Sequence, residues 1–468
     1  MKYYLEPARL SNCSNKSCVM VHLFDTGTAD SVMAEASSNT KSSKSDGKGT
    51  RSSYPPRDSL SQDEYQDVPE PHNTEEDYEE DDPLTLDTLP VELLMYISNF
   101  LDAKFLIHTL SKVCQVFHDL LTRDIYWKTR ISKRWPKPYP PVYDEKFSWQ
   151  EACIMREEQH KMWTNQEELC HHLKYREGIF APVDAVHLMK NGRFLVSGSR
   201  DRYLNVVDLS KYDPENSSSI KQMKVYSNDK AHKGWIWSVA SNSDDSRMCT
   251  GSWDTYIKTW DVWNDCTEIN KYKCRSAVLS LHMEENTVIG AGYDQQIYTI
   301  DTRTNDVHRK KYHRRPVLSL KADDKYVISG SEDKTVAIFD RRAGHVYKTI
   351  QMESYAMDLS FGHQQLWISD KEGKIHLYDA TLGQFEFIQT YDVGHTGKAT
   401  GIIYTPGALF TCSTDKTIKI LEPSRNPGPI QTLTAHDAEV ARIFYQDNVL
   451  VSAGSDTCVG IWMPKSAF

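Results

Sequence analysis

The chain has 468 residues, 55 Lys and Arg against 65 Asp and Glu, with 39% hydrophobic and 26% charged residues. That composition is globular and long enough for about two or three domains, which excludes fibrous and wholly disordered classes. No apolar run is long enough to span a bilayer, and Val19–Phe24 is too short for the core of a signal peptide. The expectation is a soluble intracellular protein, cytoplasmic or nuclear or both, with no membrane partner. Ten cysteines spread from Cys13 to Cys458 lack the density of a disulfide framework and the paired spacing of a zinc site, so a reduced compartment, no metal and no cofactor are expected.

Charge is unevenly placed. Residues 1–82 carry 8 basic and 17 acidic side chains, net −9, leaving 47 against 48 for the remainder. Neither part has a basic stripe able to neutralise phosphates, which argues against nucleic acid as a partner. Nine of the 25 residues from Ser37 to Ser61 are serine and twelve of the 25 from Asp58 to Asp82 are acidic. Such a segment cannot bury enough apolar area to offset chain entropy, so residues 1–82 are expected to be disordered, and no function is assigned to them.

At Pro83 the texture changes. Leu89-Pro90-Val91-Glu92 reads as a helix start, with proline presetting the first turn and a carboxylate near the positive end of the dipole. Leu89, Leu93, Ile97 and Leu101 recur every four residues, and Leu106, Leu110, Val113, Phe117 and Leu120 continue the stripe, predicting several short amphipathic helices over 84–131. So small a segment cannot cover its own apolar faces, and the rest of the chain or a second protein must do so. The next stretch, 132–169, holds Trp135-Pro136-Lys137-Pro138-Tyr139-Pro140-Pro141, a stiff extended connector, and then a helix capped by Ser148-Trp149-Gln150-Glu151. Together they predict a rigid spacer holding the helical segment away from the C-terminal part of the chain.

From residue 177 onward the chain repeats itself, and with the segment just before it the repeating domain is expected over 170–468. Seven turn segments end in or around Asp201, Asp254, Asp294, Asp333, Glu372, Asp415 and Asp456, separated by 53, 40, 39, 39, 43 and 41 residues. A period near forty with strand-like alternation after each turn is that of a four-stranded propeller blade. Sequence for an outer strand of the seventh blade is missing after Met463, and Cys170–Tyr175 can supply it, closing the ring without a free edge. Four histidines precede their acids at nearly constant spacing: His232 before Asp254, His313 before Asp333, His395 before Asp415 and His436 before Asp456. A single pair of this kind could be an acid–base or metal group. Recurrence in four blades favours locks that satisfy buried polar atoms, because an active site is built once, and no catalytic residue is assigned.

Leu89-Pro90-x-Glu92-Leu93-Leu94-x-x-Ile97-x-x-Phe100-Leu101, with Val113-Cys114-x-x-Phe117 and Trp127 downstream, resembles an F-box, and the repeats resemble a seven-bladed WD40 propeller. In this order the two modules resemble F-box and WD-repeat proteins over about residues 84–468. The resemblance implies a small all-α F-box followed by an all-β propeller, and a substrate receptor of a Skp–cullin–F-box ubiquitin ligase without chemistry of its own. Leu89, Pro90, Leu93, Ile97 and Leu101 would contact the Skp adaptor, while Val113, Cys114, Phe117 and Trp127 would support the helices or complete the interface. The cullin scaffold and a protein substrate are the other implied partners.

In such propellers ligands meet the narrow face, at the residue before each anchor acid and along each first strand. Here the sequence departs from relatives that read phosphorylated degrons with several arginines, since only Arg200 fits that pattern and one guanidinium is thin provision for a phosphate. The candidate substrate site is therefore Trp237, Trp253, Tyr293 and Leu318, taking an apolar or aromatic anchor with Arg200 assisting. Packing of these aromatics within the inner strands is the bland alternative. Two other classes compete: a WD40 scaffold outside any ligase, which adaptor binding would discriminate, and an enzyme, for which no nucleotide loop, nucleophile motif or metal spacing is present.

Overall fold

Twenty-eight strands grouped into seven antiparallel sheets of four follow the seven repeats among the described residues. The structure is a computed structural model that describes residues 89–140, 142, 147–434 and 436–467. The expectations for residues 1–82, and for the segment 84–88 ahead of the first helix, lie outside them. Inner strands such as Val183–Met189 and Tyr326–Ser331 are buried at every residue, because neighbouring blades cover both of their faces. The outer strand Val307–Lys311, by contrast, is exposed throughout. The ring closes where Cys170–Tyr175 pairs antiparallel with Val459–Pro464, from Cys170 opposite Pro464 to Tyr175 opposite Val459, and becomes the outer strand of blade seven.

Each blade turns sharply after its anchor acid. The next residue adopts a left-handed backbone in every blade: Arg202, Thr255, Gln295, Lys334, Gly373, Lys416 and Thr457, with φ between 61 and 85°. Six of these carry a Cβ, which disfavours that region, and the aspartate compensates by accepting a hydrogen bond from the backbone two residues on. Tyr203 N to Asp201 Oδ1 at 2.8 Å and Thr417 N to Asp415 Oδ1 at 3.0 Å are examples. Blade five differs from the sequence expectation. Glu372 stands at the anchor position, but Asp370 takes over the turn, accepting from Glu372 N at 2.9 Å and Lys374 N at 2.8 Å and meeting His376 Nε2 at 3.1 Å. Glycine, Gly373, occupies the left-handed position there.

Ahead of the ring lie helices α1 (Val91–Ser98), α2 (Ala103–His108), α3 (Gln115–Leu121) and α4 (Asp124–Arg134), then α5 (Trp149–Thr164). Leu94, Leu106, Phe117, Leu121, Trp127 and Ile131 turn inward, and Trp127 Nε1 donates to the Leu121 carbonyl at 2.8 Å. The connector does not hold the helices clear of the propeller. Tyr139 Oη donates to the Pro406 carbonyl at 2.9 Å, Arg425 N donates to the Pro138 carbonyl at 2.9 Å, and Lys137 pairs with Glu422 at 3.3 Å, all on blade six. Helix α5 lies on the same blade, with Trp163 edge-on to Phe410 at 5.8 Å. Gly407 permits the approach: a Cβ there would sit 2.6 Å from both Gln159 Oε1 and the Met155 carbonyl. The aromatic and proline side chains of the connector are apolar enough to bury, so they pack instead of spanning solvent.

Candidate functional site

Two surfaces carry the candidate residues. On the helical segment, α1 buries Leu94 and Ser98 and turns Leu93 and Ile97 outward, 48 and 40% exposed. Pro90 is exposed at the head of α1, and Leu89 and Leu101 are half-buried at either side of it. Phe100 at 74%, Val113 at 65% and Ile125 at 67% extend this apolar face, along with Tyr96, Phe105 and Val116. So many large exposed apolar side chains on one small group of helices differ from the scattered ones normal on a protein surface. Of the four residues expected to support the helices or complete the interface, Phe117 and Trp127 are buried, Cys114 is half-buried and Val113 belongs to the exposed face.

That face is held rigidly. Arg130, buried on α4, donates from Nε to Glu157 Oε1 of α5 at 2.8 Å and caps the end of α1 through the Ser98 and Leu101 carbonyls at 2.6 and 2.5 Å. Glu157 also accepts from Ala103 N at 2.8 Å and pairs with Arg134 at 2.9 Å. Burial alone would lower the Arg130 pKa, but the Glu157 carboxylate outweighs it and holds the guanidinium above its usual value. Nothing in the local pattern of the sequence pointed to this pair, since its members lie 27 residues apart on different helices.

The second surface is the face of the propeller that carries the turns. In every blade the residue before the anchor position donates its N–H to the carbonyl at the start of the first strand: Arg200 to Pro182, Trp253 to Trp235, Tyr293 to Ala277, Glu332 to Pro316, Lys371 to Tyr355, Thr414 to Lys398 and Ser455 to Glu439. Each first strand also carries a β-bulge, so the residue between two register pairs is unpaired and its side chain is re-aimed. In blades one to four the bulge residues are Asp184, Trp237, Leu279 and Leu318.

Rings from adjacent blades form a row, with Trp235 and Trp237 at 5.8 and 5.9 Å from Trp253 and Trp253 at 6.1 Å from Tyr293. Trp237 is buried and Trp253 and Tyr293 are half-buried. Leu318 is half-buried one bulge beyond the fully buried Leu279. Arg200 ends the row, its guanidinium 5.0 Å from the Trp235 ring centre and 5.9 Å from that of Trp237. Its charge is already matched, because Nε and Nη2 reach the buried Asp184 carboxylate at 2.9 and 3.2 Å. The sequence reading missed Asp184 and Trp235. The bulge position that aligns Asp184 with Trp237 was the available signal.

The four histidines reach their aspartates through Nδ1, at 2.9 Å for His232 and Asp254, 3.1 Å for His313 and Asp333, 3.0 Å for His395 and Asp415 and 2.9 Å for His436 and Asp456. Each opposite ring nitrogen meets a hydroxyl on the second strand, those of Thr250, Ser329, Thr411 and Ser452. In blade two Trp260 Nε1 also donates to Thr250 Oγ1, at 2.8 Å. Burial pushes the His313 and His436 pKa values down despite the neighbouring carboxylates. It pushes the aspartates up, but the hydrogen bonds they accept outweigh it and leave Asp254, Asp333, Asp415 and Asp456 below the usual range.

Blade three has no histidine in this place and uses Tyr298, whose hydroxyl donates to Asp294 at 2.5 Å. One cluster has the donor atoms for a metal, His436, Asp456 and Cys458, all within 4.8 Å. Cys458 stands where blades four and six have Thr335 and Thr417, and its thiol, pushed up to about 12 by burial, donates to Asp456 at 3.0 Å as their hydroxyls do to Asp333 and Asp415. The cluster is thus accounted for by the same lock geometry as its neighbours.

A family model described as WD domain, G-beta repeat, matches residues 221–261 and 305–340, which fall in blades one, two, three and four. F-box/WD repeat-containing protein 9 of Homo sapiens is 37% identical over 377 residues, 80% of this chain and 82% of the relative. The chain belongs to the F-box/WD repeat-containing protein family. Its counterpart of the same name in Bos taurus is 36% identical over 377 residues, with the same coverage. F-box/WD repeat-containing protein mec-15 of Caenorhabditis elegans is 28% identical over 408 residues, 82% of this chain and 98% of the relative. Among the described residues no helix is long and apolar enough to cross a membrane.

Proposed function

We propose that the chain is a non-catalytic substrate receptor of a Skp–cullin–F-box ubiquitin ligase, with an F-box over residues 84–131, a connector and spacer over 132–169 and a substrate-binding propeller over 170–468. The observation that carries this reading is the exposed apolar face of α1 to α4, presented by helices whose own interior is already filled. Leu89, Pro90, Leu93, Ile97 and Leu101, with Phe100 beside them, would seat on the Skp adaptor. Trp237, Trp253, Tyr293 and Leu318 would receive the substrate, and Arg200, tied to Asp184, would stiffen the aromatic row rather than read a phosphate. Arg130, Glu157 and the contacts of α5 with blade six would fix the distance between bound substrate and ubiquitin carrier, so that proximity rather than chemistry from this chain drives transfer. Both compartments that contain the ligase, cytoplasm and nucleus, are compatible with this role.

The test is co-purification of the full chain with the Skp adaptor and cullin, beside a Leu93→Asp, Ile97→Asp variant. Recovery of both partners by the wild type and their loss from a variant with an unchanged melting profile supports the reading. Failure of the wild type to bring down the adaptor replaces it with a scaffold acting outside any ligase.

A further inference from the structure

On the turn face, blades two and three present Trp253 and Tyr293, and blade four presents Glu332 at the same position, its N–H tied to the Pro316 carbonyl at 3.1 Å. A carboxylate is a strange neighbour for this row. Glu332 is 8% exposed, and its Oε1 is buried without a hydrogen-bond partner. Burial raises its pKa, against the pull of Arg315 and Lys371. Those two cations are exposed, and among the described residues neither forms an ion pair with it. The fold has answers to this problem elsewhere on the first strands: Asp184 in blade one is matched by both nitrogens of Arg200, and Asp358 in blade five accepts from Ser319 Oγ at 2.8 Å and Ile402 N at 3.2 Å. Glu332 alone among these buried carboxylates keeps an unmet oxygen. A group in that condition destabilises the free protein, and a donor arriving with a ligand removes the penalty.

We propose that Glu332, at the turn position on blade four that Tyr293 holds on blade three, receives an arginine side chain of the bound protein. The inference rests on the reading of this face as the capture surface and names what that surface selects. A guanidinium suits the place in two ways. Its planar fork gives two parallel N–H groups to a carboxylate, and its face stacks on aromatic rings, whereas a lysine ammonium delivers a point charge and no stacking plane. The Arg200 guanidinium, lying over Trp235 and Trp237 while bound to Asp184, is the protein's own version of the same arrangement at the other end of the row. Arg315 and Lys371 stand in solvent on long chains, so their repulsion of an incoming cation is screened, while Glu332 meets it in a desolvated place. The substrate segment then pairs an apolar or aromatic residue, seated on the row, with an arginine next to it.

Selection of random short peptides on the immobilised full chain tests this, with Glu332→Gln and Trp253→Ala chains as comparisons and arginine amide as a soluble competitor on the wild type. Enriched peptides that share an arginine, bind Glu332→Gln roughly ten-fold or more weakly and are displaced by arginine amide support the assignment. Peptides that need Trp253 but contain no arginine and ignore Glu332→Gln overturn it while leaving the capture surface in place. Acidic peptides that ignore Glu332→Gln overturn it in favour of Arg315 and Lys371. Peptides indifferent to both substitutions, or no enrichment, remove the capture surface along with it. Competition by arginine amide on the wild type keeps the test decisive if a substitution disturbs folding.

Discussion

Between Val91 and Ile125 nine large apolar side chains are at least 40% exposed, and they lie together on one small group of helices. The propeller also exposes apolar residues, but scattered around the ring: Val225, Ile269, Val307, Tyr347 and Phe387, one on each outer strand of blades one to five, and Phe180, Trp263 and Leu382 in connecting segments. The difference lies in how each region treats its edges. A blade buries both faces of its inner strands against two neighbours, and the ring supplies neighbours to all of them once Cys170–Tyr175 completes the seventh. The helical group has one neighbour, α5, and uses it to fix position through Arg130 and Glu157. Its opposite side is exposed. One region is finished by its own chain, and in the proposed reading the other is finished by assembly.

The comparison can be broken most severely at the joint between the two regions. Arg130→Ala leaves Glu157 buried without its main partner and should cost about 3–5 kcal/mol of stability in the helical segment. Hydrogen exchange should then show α1 to α4 opening while the blades stay protected; equal loss of protection in both would mean that the regions are one cooperative unit. Closure of the ring is next. Leu173→Pro removes a ladder hydrogen bond in the pairing with Val459–Pro464 and should cost about 3 kcal/mol, read as a lower thermal midpoint and exposure of blade seven. An unchanged midpoint would show that the ring holds without that strand. Leu93→Asp with Ile97→Asp should weaken adaptor capture by roughly a hundred-fold with the midpoint unchanged, since both side chains already face solvent. A fall in the midpoint would show that this face is internal to the fold.

Smaller effects test the locks. His232→Ala, His313→Ala, His395→Ala and His436→Ala should each lower stability by about 1–3 kcal/mol, adding nearly independently because they lie in separate blades. Strong coupling in double variants would indicate that blades share strain. Acid should act through the same groups. His313 and His436 stay neutral in the folded ring below their ordinary value of 6.5, so unfolding takes up protons as pH falls past it and stability declines. The lock aspartates, held below 3.8, add a second decline at lower pH as they protonate. A thermal midpoint that is flat from pH 7 to 5 would contradict the first step.

Much of this was legible in the sequence. The repeat of turn, acid and alternating strand set the seven blades, because each blade is a local unit with a fixed period. The closing strand followed from the missing outer strand of blade seven, and the stripe of Leu93 and Ile97 announced a helix with an outward apolar side. What only the tertiary structure decided is where distant segments meet. Tyr139 reaches Tyr404 and Pro406, Gly407 makes room for α5, Asp370 rather than Glu372 holds its turn, Asp184 claims Arg200, and Glu332 is buried with an oxygen unmet. Periodicity reports on which face a residue takes, whereas burial and pairing depend on which side chains the folded blades bring together, whether 267 positions apart as Tyr139 and Pro406 or 16 apart as Asp184 and Arg200, and for that the local pattern carries no signal.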